Sequence, residues 1–239
     1  MYNNAFIDKI SFVECDFFIF YFTLLMCISP TFGSSQNWEP QDIHDCEQII
    51  SATQFHQDHG PWIVVAGGFC PTDEHYKKAQ NIGYLLVKNG YAVVTGAGPG
   101  IMEAANAGAV RAGGASLGFI LKGEELNDHI PKENYLQVSH ISHRLEGMVG
   151  KASGCVVFPG GLGTVSECFF ALDHFRYLEV PHPVVLVGMQ FWGPLVEWMK
   201  NLHYTHTCPG HLYLVDSSEE AVDIIFSHHK RQSYSFSSN

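Results

Sequence analysis

From about Gly60 onward the chain alternates short, unbroken apolar runs with longer amphipathic stretches. Trp62 to Ala66 (WIVVA) is an apolar run closed by Gly67-Gly68, and Asp73 to Lys88 is an amphipathic stretch that stops at Asn89-Gly90, a helix C-terminal signal. The alternation returns with the run Tyr91 to Thr95, the glycine-rich turn Gly96-Ala97-Gly98-Pro99-Gly100, the stretch Ile101 to Arg111 and the run Ser116 to Leu121. After a less regular segment, Lys122 to Gln137, the positions Leu145, Met148, Val149 and Ala152 mark one helical face over Ser142 to Ala152. The remaining pattern predicts strands at Gly154–Phe158, Pro183–Gly188 and Leu212–Val215, with helices at Thr164–Leu178, Trp192–Leu202 and Ser218–Phe226.

Runs of β-branched residues without polar alternation are strands buried on both faces, so the pattern predicts an α/β fold: a doubly wound parallel sheet with helices on each side. The predicted organisation is an N-terminal extension over 1–59, a single α/β domain over 60–226, and a loose polar tail from Ser227 (SHHKRQSYSFSSN). Within the extension, Phe17 to Ser29 is a nearly unbroken apolar run, short of the ~20 residues a membrane-spanning helix needs. It has the length of a signal-peptide core, but Asp8, Glu14 and Asp16 precede it against a lone Lys9, where an export signal is positive. A start of translation at Met26 is a third reading. No membrane span is expected, and a cytoplasmic location is the expectation, with export as the alternative.

Composition narrows the function. Lys and Arg number 13 against 24 Asp and Glu, a net charge of −11, so the long-range field repels phosphate backbones and no nucleic-acid partner is expected. Any phosphate must be held locally. The seven cysteines are widely spaced without a CxxC pair, which is neither a zinc site nor a disulfide framework, and buried reduced thiols in a reducing compartment are expected. The histidine pairs His140/His143 and His203/His206 lack a third ligand, so no metal is assigned.

In a sheet of this kind ligands sit at the carboxyl ends of the strands, which puts the two glycine-rich loops first. Gly96 to Ile101 misses the third glycine of a dinucleotide fingerprint, and no acidic residue ends the next strand to hold a ribose, so a dinucleotide cofactor is not expected. The turn is then either an anion- or base-accepting surface or a tight turn that needs glycine for geometry alone. The second loop, Pro159 to Glu167 (PGGLGTVSE), exposes a run of N–H donors at a helix start, and Thr164 adds a hydroxyl. It makes a phosphate site without a lysine. Glu167 has two readings: the spacing Thr164-x-x-Glu167 is that of a capping box, and the alternative is a carboxylate directed at a ligand. Arg144, one of four arginines, opens the preceding helix in Ser142-His143-Arg144 and is either a solvated surface charge or a partner of Glu167.

The segments GAGPGIMEAANAGA (Gly96 to Ala109), SHR (Ser142 to Arg144) and PGGLGTVSE together resemble the lonely guy family, over about Pro61 to Phe226. These are cytokinin-activating nucleoside 5′-monophosphate phosphoribohydrolases, long labelled lysine decarboxylases. The resemblance implies a Rossmann-like homodimer that cleaves the N-glycosidic bond of a nucleoside 5′-monophosphate, AMP or an N6-modified relative, to free base and ribose 5-phosphate, without a cofactor. It places the catalytic pair on Arg144 and Glu167, and the phosphate loop on Gly160, Gly161, Gly163 and Thr164. Gly96, Gly98, Gly100 and Glu103 complete the nucleotide-binding set. Leu145 follows the arginine where plant-type members carry lysine, and ALDHFRYLEVPHP (Ala171 to Pro183) replaces their Trp-containing stretch.

The residues suit that chemistry. A carboxylate beside the ribose stabilises an oxocarbenium-like state and activates water, while arginine, a permanent cation, neutralises charge on the departing base or orients phosphate. A decarboxylase would instead need pyridoxal phosphate on a lysine, and none of the nine lysines stands in a recognisable setting for it. The competing reading is a non-catalytic carrier of a nucleotide or of a phosphorylated cofactor such as the molybdenum cofactor.

Overall fold

The computed structural model describes residues 40–201 and 210–236. The chain divides at His44/Asp45 into two units; the described residues of the first open helix α1 (Pro40–His59), and the second holds a seven-stranded sheet with its helices. In chain order these are β1 (Trp62–Ala66), α2 (Asp73–Lys88), β2 (Ala92–Thr95), α3 (Ile101–Arg111), β3 (Ser116–Leu121), β4 (Tyr135–Val138), α4 (Ile141–Val149), β5 (Cys155–Val157), α5 (Leu162–Phe175), β6 (Val184–Val187), α6 (Met189–Asn201), β7 (Leu212–Val215) and α7 (Ser218–Phe236). A 3₁₀ turn at Lys132–Asn134 leads into β4.

All six strand pairings are parallel, in the order β4-β3-β2-β1-β5-β6-β7. Chain connections run outward from β1 in one direction and from β5 in the other, so the order reverses between these two strands. In open sheets of this order such a reversal is where a crevice forms, outside the carboxyl ends of the two strands. The apolar runs are continuous because both faces are covered: along β1, Trp62, Val64 and Ala66 enter one core cluster, and Ile63 and Val65 enter the other. The first cluster is closed by α1, α4, α5 and α6, the second by α2, α3 and α7. This is the Rossmann-like α/β fold.

Three boundaries differ from the pattern-based expectation. The edge strand β4 lies inside the segment read as irregular; only Leu136 and Val138 are buried and Gln137 is exposed, so four residues alternate too briefly to stand out. The domain begins before Gly60, because Ala52 and Phe55 of α1 enter the first core cluster and Phe55 packs against Trp62, whose indole N–H donates to the Met148 carbonyl at 3.0 Å. Helix α7 runs to Phe236, through the segment read as a loose tail; His229 Nδ1 meets the Tyr91 hydroxyl at 2.8 Å across the gap to the start of β2. The apolar segment 17–29 and the pair His203/His206 lie outside the described residues. No described helix is long and apolar enough to cross a membrane.

Helices α2 and α3 approach backbone to backbone. A Cβ on Gly83 would run into the Ala105 carbonyl, and one on Gly108 into the Gln80 carbonyl. Gly83→Ala gains about 1 kcal/mol of intrinsic helix propensity, yet the methyl meets a carbonyl that cannot yield without moving a helix, an overpacking cost of roughly 1–3 kcal/mol. The expected outcome is a net loss of stability in urea unfolding; an unchanged or higher midpoint would contradict the close contact.

Candidate active site

The crevice is built from three loops that touch. Gly68 N–H donates to the Pro159 carbonyl at 3.0 Å, tying the turn after β1 to the loop after β5, and a Cβ on Gly68 would sit 3.2 Å from the Gly160 Cα. Ile101 N–H donates to the Gly68 carbonyl at 3.1 Å, which brings in the turn after β2. Gly100 has φ +78°, and a side chain there would press on the carbonyls of Gly68 and Phe69. The Glu103 carboxylate accepts from Gly100 N–H at 3.4 Å and lies 4.0 Å from His129 Nε2, so Glu103 closes the start of α3.

The turn after β2 is held by buried amides. Ala97 sits at φ +63°, a left-handed conformation that costs a non-glycine residue on the order of 1 kcal/mol. Asn127 offsets this: its backbone and side-chain N–H groups both donate to the Ala97 carbonyl at 2.9 Å, and the side chain also reaches the Gly98 carbonyl at 3.0 Å and Asn106 Oδ1 at 3.1 Å. Thr95 completes the set, accepting from Ala97 N–H at 3.0 Å and donating to Asn106 at 2.9 Å. These residues escape sequence reading; the one visible signal is Asn106, a polar residue among the alanines of α3.

Arg144 comes from α4 and is 7% exposed. Its Nε donates to the Phe119 carbonyl of β3 at 3.1 Å and its Nη2 to the Gly96 carbonyl at 3.3 Å. A Cβ on Gly96 would occupy the place of that Nη2, so the first glycine of the turn is the passage through which the guanidinium reaches the crevice. Arg144 Nη2 then stands 3.5 Å from Glu167 Oε1, and its Nη1 3.7 Å from Glu124 Oε2. The surface-charge reading of Arg144 does not hold. Glu124, in the loop after β3, is a second carboxylate on the same cation that the sequence did not single out.

The chain entering helix α4 is held by a residue outside the predicted domain. Asp45 on α1 is fully buried and accepts from Ser139 N–H at 2.8 Å and His140 N–H at 3.1 Å, and its Oδ2 lies 2.8 Å from His143 Nδ1. No side chain of its own caps α4, and Asp45 does not cap it either; it holds Ser139 and the N-cap residue His140 by their N–H groups and thus fixes the backbone that enters the helix. Burial pushes the Asp45 carboxyl up, but His143 and the two backbone donors outweigh it and hold the group below its usual range. The His140/His143 pair thus belongs to a carboxylate contact that anchors the helix carrying Arg144.

Glu167 is not a cap. Helix α5 begins at Leu162 with Gly161 as its N-cap residue, so Thr164 and Glu167 are its third and sixth residues, and Glu167 points inward at 5% exposure. Burial pushes its carboxyl up to about 7; Arg144 opposes this and Glu124 adds to it. Thr164 is buried, its hydroxyl against Gly160, where a Cβ would collide with it. Gly161 and Gly163 are different. Neither has a positive φ, and a Cβ on either would meet nothing within 4 Å among the described residues, none of which demands glycine at these two positions. They leave open space over the first turn of α5, where backbone N–H groups have no intrahelical acceptor.

The family model described as "Possible lysine decarboxylase" matches residues 102–225. The pyrimidine/purine nucleotide 5′-monophosphate nucleosidase of Escherichia coli (strain K12) is 33% identical over 137 residues, 52% of this chain and 30% of that protein, so the chain spans under a third of this relative's length. The cytokinin riboside 5′-monophosphate phosphoribohydrolase of Mycobacterium tuberculosis is 29% identical over 178 residues, 68% of this chain and 92% of that one. Among solved structures, the molybdenum cofactor binding protein of Rippkaea orientalis superposes with a TM-score of 0.56 at 24% identity, covering 70% of this chain and 96% of that one. The molybdenum cofactor carrier protein of Chlamydomonas reinhardtii does so at 0.57 and 22%, covering 71% and 99%. These two share the fold. The family match spans more than half of the chain and contains both Arg144 and Glu167, and on it the chain belongs to the possible lysine decarboxylase family, the lonely guy family that its three motifs resemble.

Proposed function

We propose that the protein hydrolyses the N-glycosidic bond of a nucleoside 5′-monophosphate, AMP or an N6-modified AMP among them, to free base and ribose 5-phosphate. The observation that carries this reading is the buried contact of Arg144 with Glu167 at the strand-order reversal, beside a glycine loop with open space over a helix start. The two named relatives, which act on nucleotide 5′-monophosphates, support it. The 5′-phosphate binds the N–H groups around Gly160, Gly161, Gly163 and Thr164, and a local site of this kind operates in a chain of net charge −11. Gly96, Gly98 and Gly100 bring the backbone close to the nucleoside, with Glu103 holding that turn. With the phosphate fixed, C1′ of the ribose faces Glu167. As the C1′–N bond breaks, the ionised Glu167 stabilises positive charge on the ribose and takes a proton from the water that bonds to C1′. Arg144 balances the negative charge of the departing base, which gains the proton that Glu167 took from the water, returning the carboxylate to its ionised form.

We further propose a homodimer in the cytoplasm. Phe169, Tyr177 and Val180, on and just beyond α5, are apolar side chains that are 38%, 74% and 41% exposed, and cover by a second copy would bury them. Cys155 and Cys168 are buried free thiols whose pKa values burial raises, which suits a reducing compartment. Light scattering at micromolar concentration is expected to give a mass twice that of the chain; a monomer would count against the dimer.

Glu167→Gln tests the catalytic role. Turnover is expected to fall by ~10²-fold or more, the usual effect of removing a general base or an electrostatic stabiliser. Stability should move the other way. A carboxyl raised from its usual range to about 7 holds its proton more tightly in the folded state, so the stability it allows is present at low pH and is lost as pH rises from about 4.5 to about 7. Unfolding measurements at pH 5 and pH 8 should show Glu167→Gln gaining on the parent by up to about 3 kcal/mol. Full activity in the variant, with lowered stability at both pH values, would remove the catalytic reading and leave a binding protein. In the parent, kcat/KM should rise with pH through about 7 as Glu167 ionises.

The phosphate loop gives an independent test. AMP is expected to react at least ~10²-fold faster than adenosine, because binding energy at the remote phosphate positions C1′ against Glu167. Equal rates on both, followed by free adenine, would show that the glycine loop does not hold the phosphate.

A further inference from the structure

Phe69, in the loop after β1, is a large apolar side chain that is 59% exposed although the residues its ring touches, Gly98 and Met102, are buried. Its backbone is held at both sides, since the Gly68 carbonyl accepts from Ile101 N–H and the Phe69 carbonyl packs on Gly100. Its ring lies on Gly98: the place a Gly98 Cβ would take is 2.9 Å from Phe69 Cε1 and 2.8 Å from Met102 Cε. Met102, 3% exposed, packs behind the turn, because its Sδ lies 3.0 Å from the Cβ place of Gly96, where Arg144 Nη2 also arrives. A line of contacts therefore runs from the exposed Phe69 ring through Gly98, Met102 and Gly96 to Arg144. It ends on the guanidinium that touches Glu167.

We infer that the Phe69 ring is the platform on which the base of the nucleotide stacks. This rests on the nucleotide reading given above. A base is bonded directly to C1′, so when C1′ is next to Glu167 the base lies within one bond of the crevice and along one of its walls. The Phe69 ring is apolar, planar and exposed, and glycine at 98 lets it lie against the backbone. Stacking tolerates any base, since every base has a π-face. The site is thus expected to accept several bases, with purines held better than pyrimidines through their larger ring.

The experiment uses the full chain as the parent, Phe69→Ala and Phe69→Trp. KM is measured by base release for AMP and UMP, and ribose 5-phosphate, which has the sugar and phosphate but no base, is titrated as a competitor. Because the ring is largely exposed, Phe69→Ala should fold. The expected result is a roughly tenfold higher KM for AMP in Phe69→Ala, a smaller rise for UMP, an unchanged inhibition constant for ribose 5-phosphate, and a KM near the parent's in Phe69→Trp. An unchanged KM for AMP overturns the inference, as does an equal weakening of AMP and ribose 5-phosphate, which would mean that Phe69 only shapes the glycine turn. If the parent neither cleaves nor binds any nucleoside 5′-monophosphate, the functional reading itself falls and takes this inference with it. A parent that cleaves AMP with no response at Phe69 overturns the platform alone.

Discussion

The burial of one guanidinium organises the carboxyl edge of the sheet. Arg144 sits almost wholly inside the protein, and a buried cation requires counter-charge and hydrogen-bond acceptors. It finds them on four different segments: the Phe119 carbonyl at β3, the Gly96 carbonyl after β2, Glu167 on α5 and Glu124 in the loop after β3. Each of these has to be in place for the others to be tolerable. Glycine is required at 96 because any side chain would fill the path of the guanidinium, and α4 must start where it does because the arginine is in its first turn. Asp45 on α1 holds the backbone just ahead of that start, so a helix that precedes the first strand takes part in placing Arg144.

The same constraint sets the electrostatics. Glu167 is buried deeply enough that its carboxyl rises to about 7 despite the arginine beside it, and Glu124 shares the cation. A carboxyl near neutrality in a crevice is a costly arrangement for a purely structural residue, and such perturbed groups cluster where chemistry is done. The glycine loop complements it. Gly160 is glycine because Thr164 crowds it, whereas Gly161 and Gly163 face open space. One loop therefore combines a glycine needed for packing with two that leave room for something outside the chain.

The strand and helix order was legible in the sequence because doubly covered strands write themselves as apolar runs, and glycine pairs punctuate them. The two loops were legible as glycine-rich, and Arg144 and Glu167 as a candidate pair through the family resemblance. The rest depended on contacts outside each local segment. Thr164-x-x-Glu167 has the spacing of a capping box, but the helix begins two residues earlier, which turns the carboxylate from the cap into the interior. The short edge strand β4 and the contribution of α1 depend on what packs against them, and Ser227 onward is helical despite its polarity, with His229 meeting Tyr91.

By itself the sequence determined the class of fold, the parallel sheet and the positions of the glycine turns, since these follow from local periodicity and from residues with unusual backbone freedom. Only the tertiary structure decided what each glycine is for, that Asp45 holds the helix of Arg144, that Glu124 shares its charge, and that Phe69 lies on Gly98. The physical reason is distance along the chain. Asp45 and His143 are 98 residues apart and Arg144 and Gly96 are 48 apart, and contacts at such separations leave no periodic trace in either segment. A buried charge is set by everything that surrounds it, and that is settled only when the sheet brings its loops to one edge.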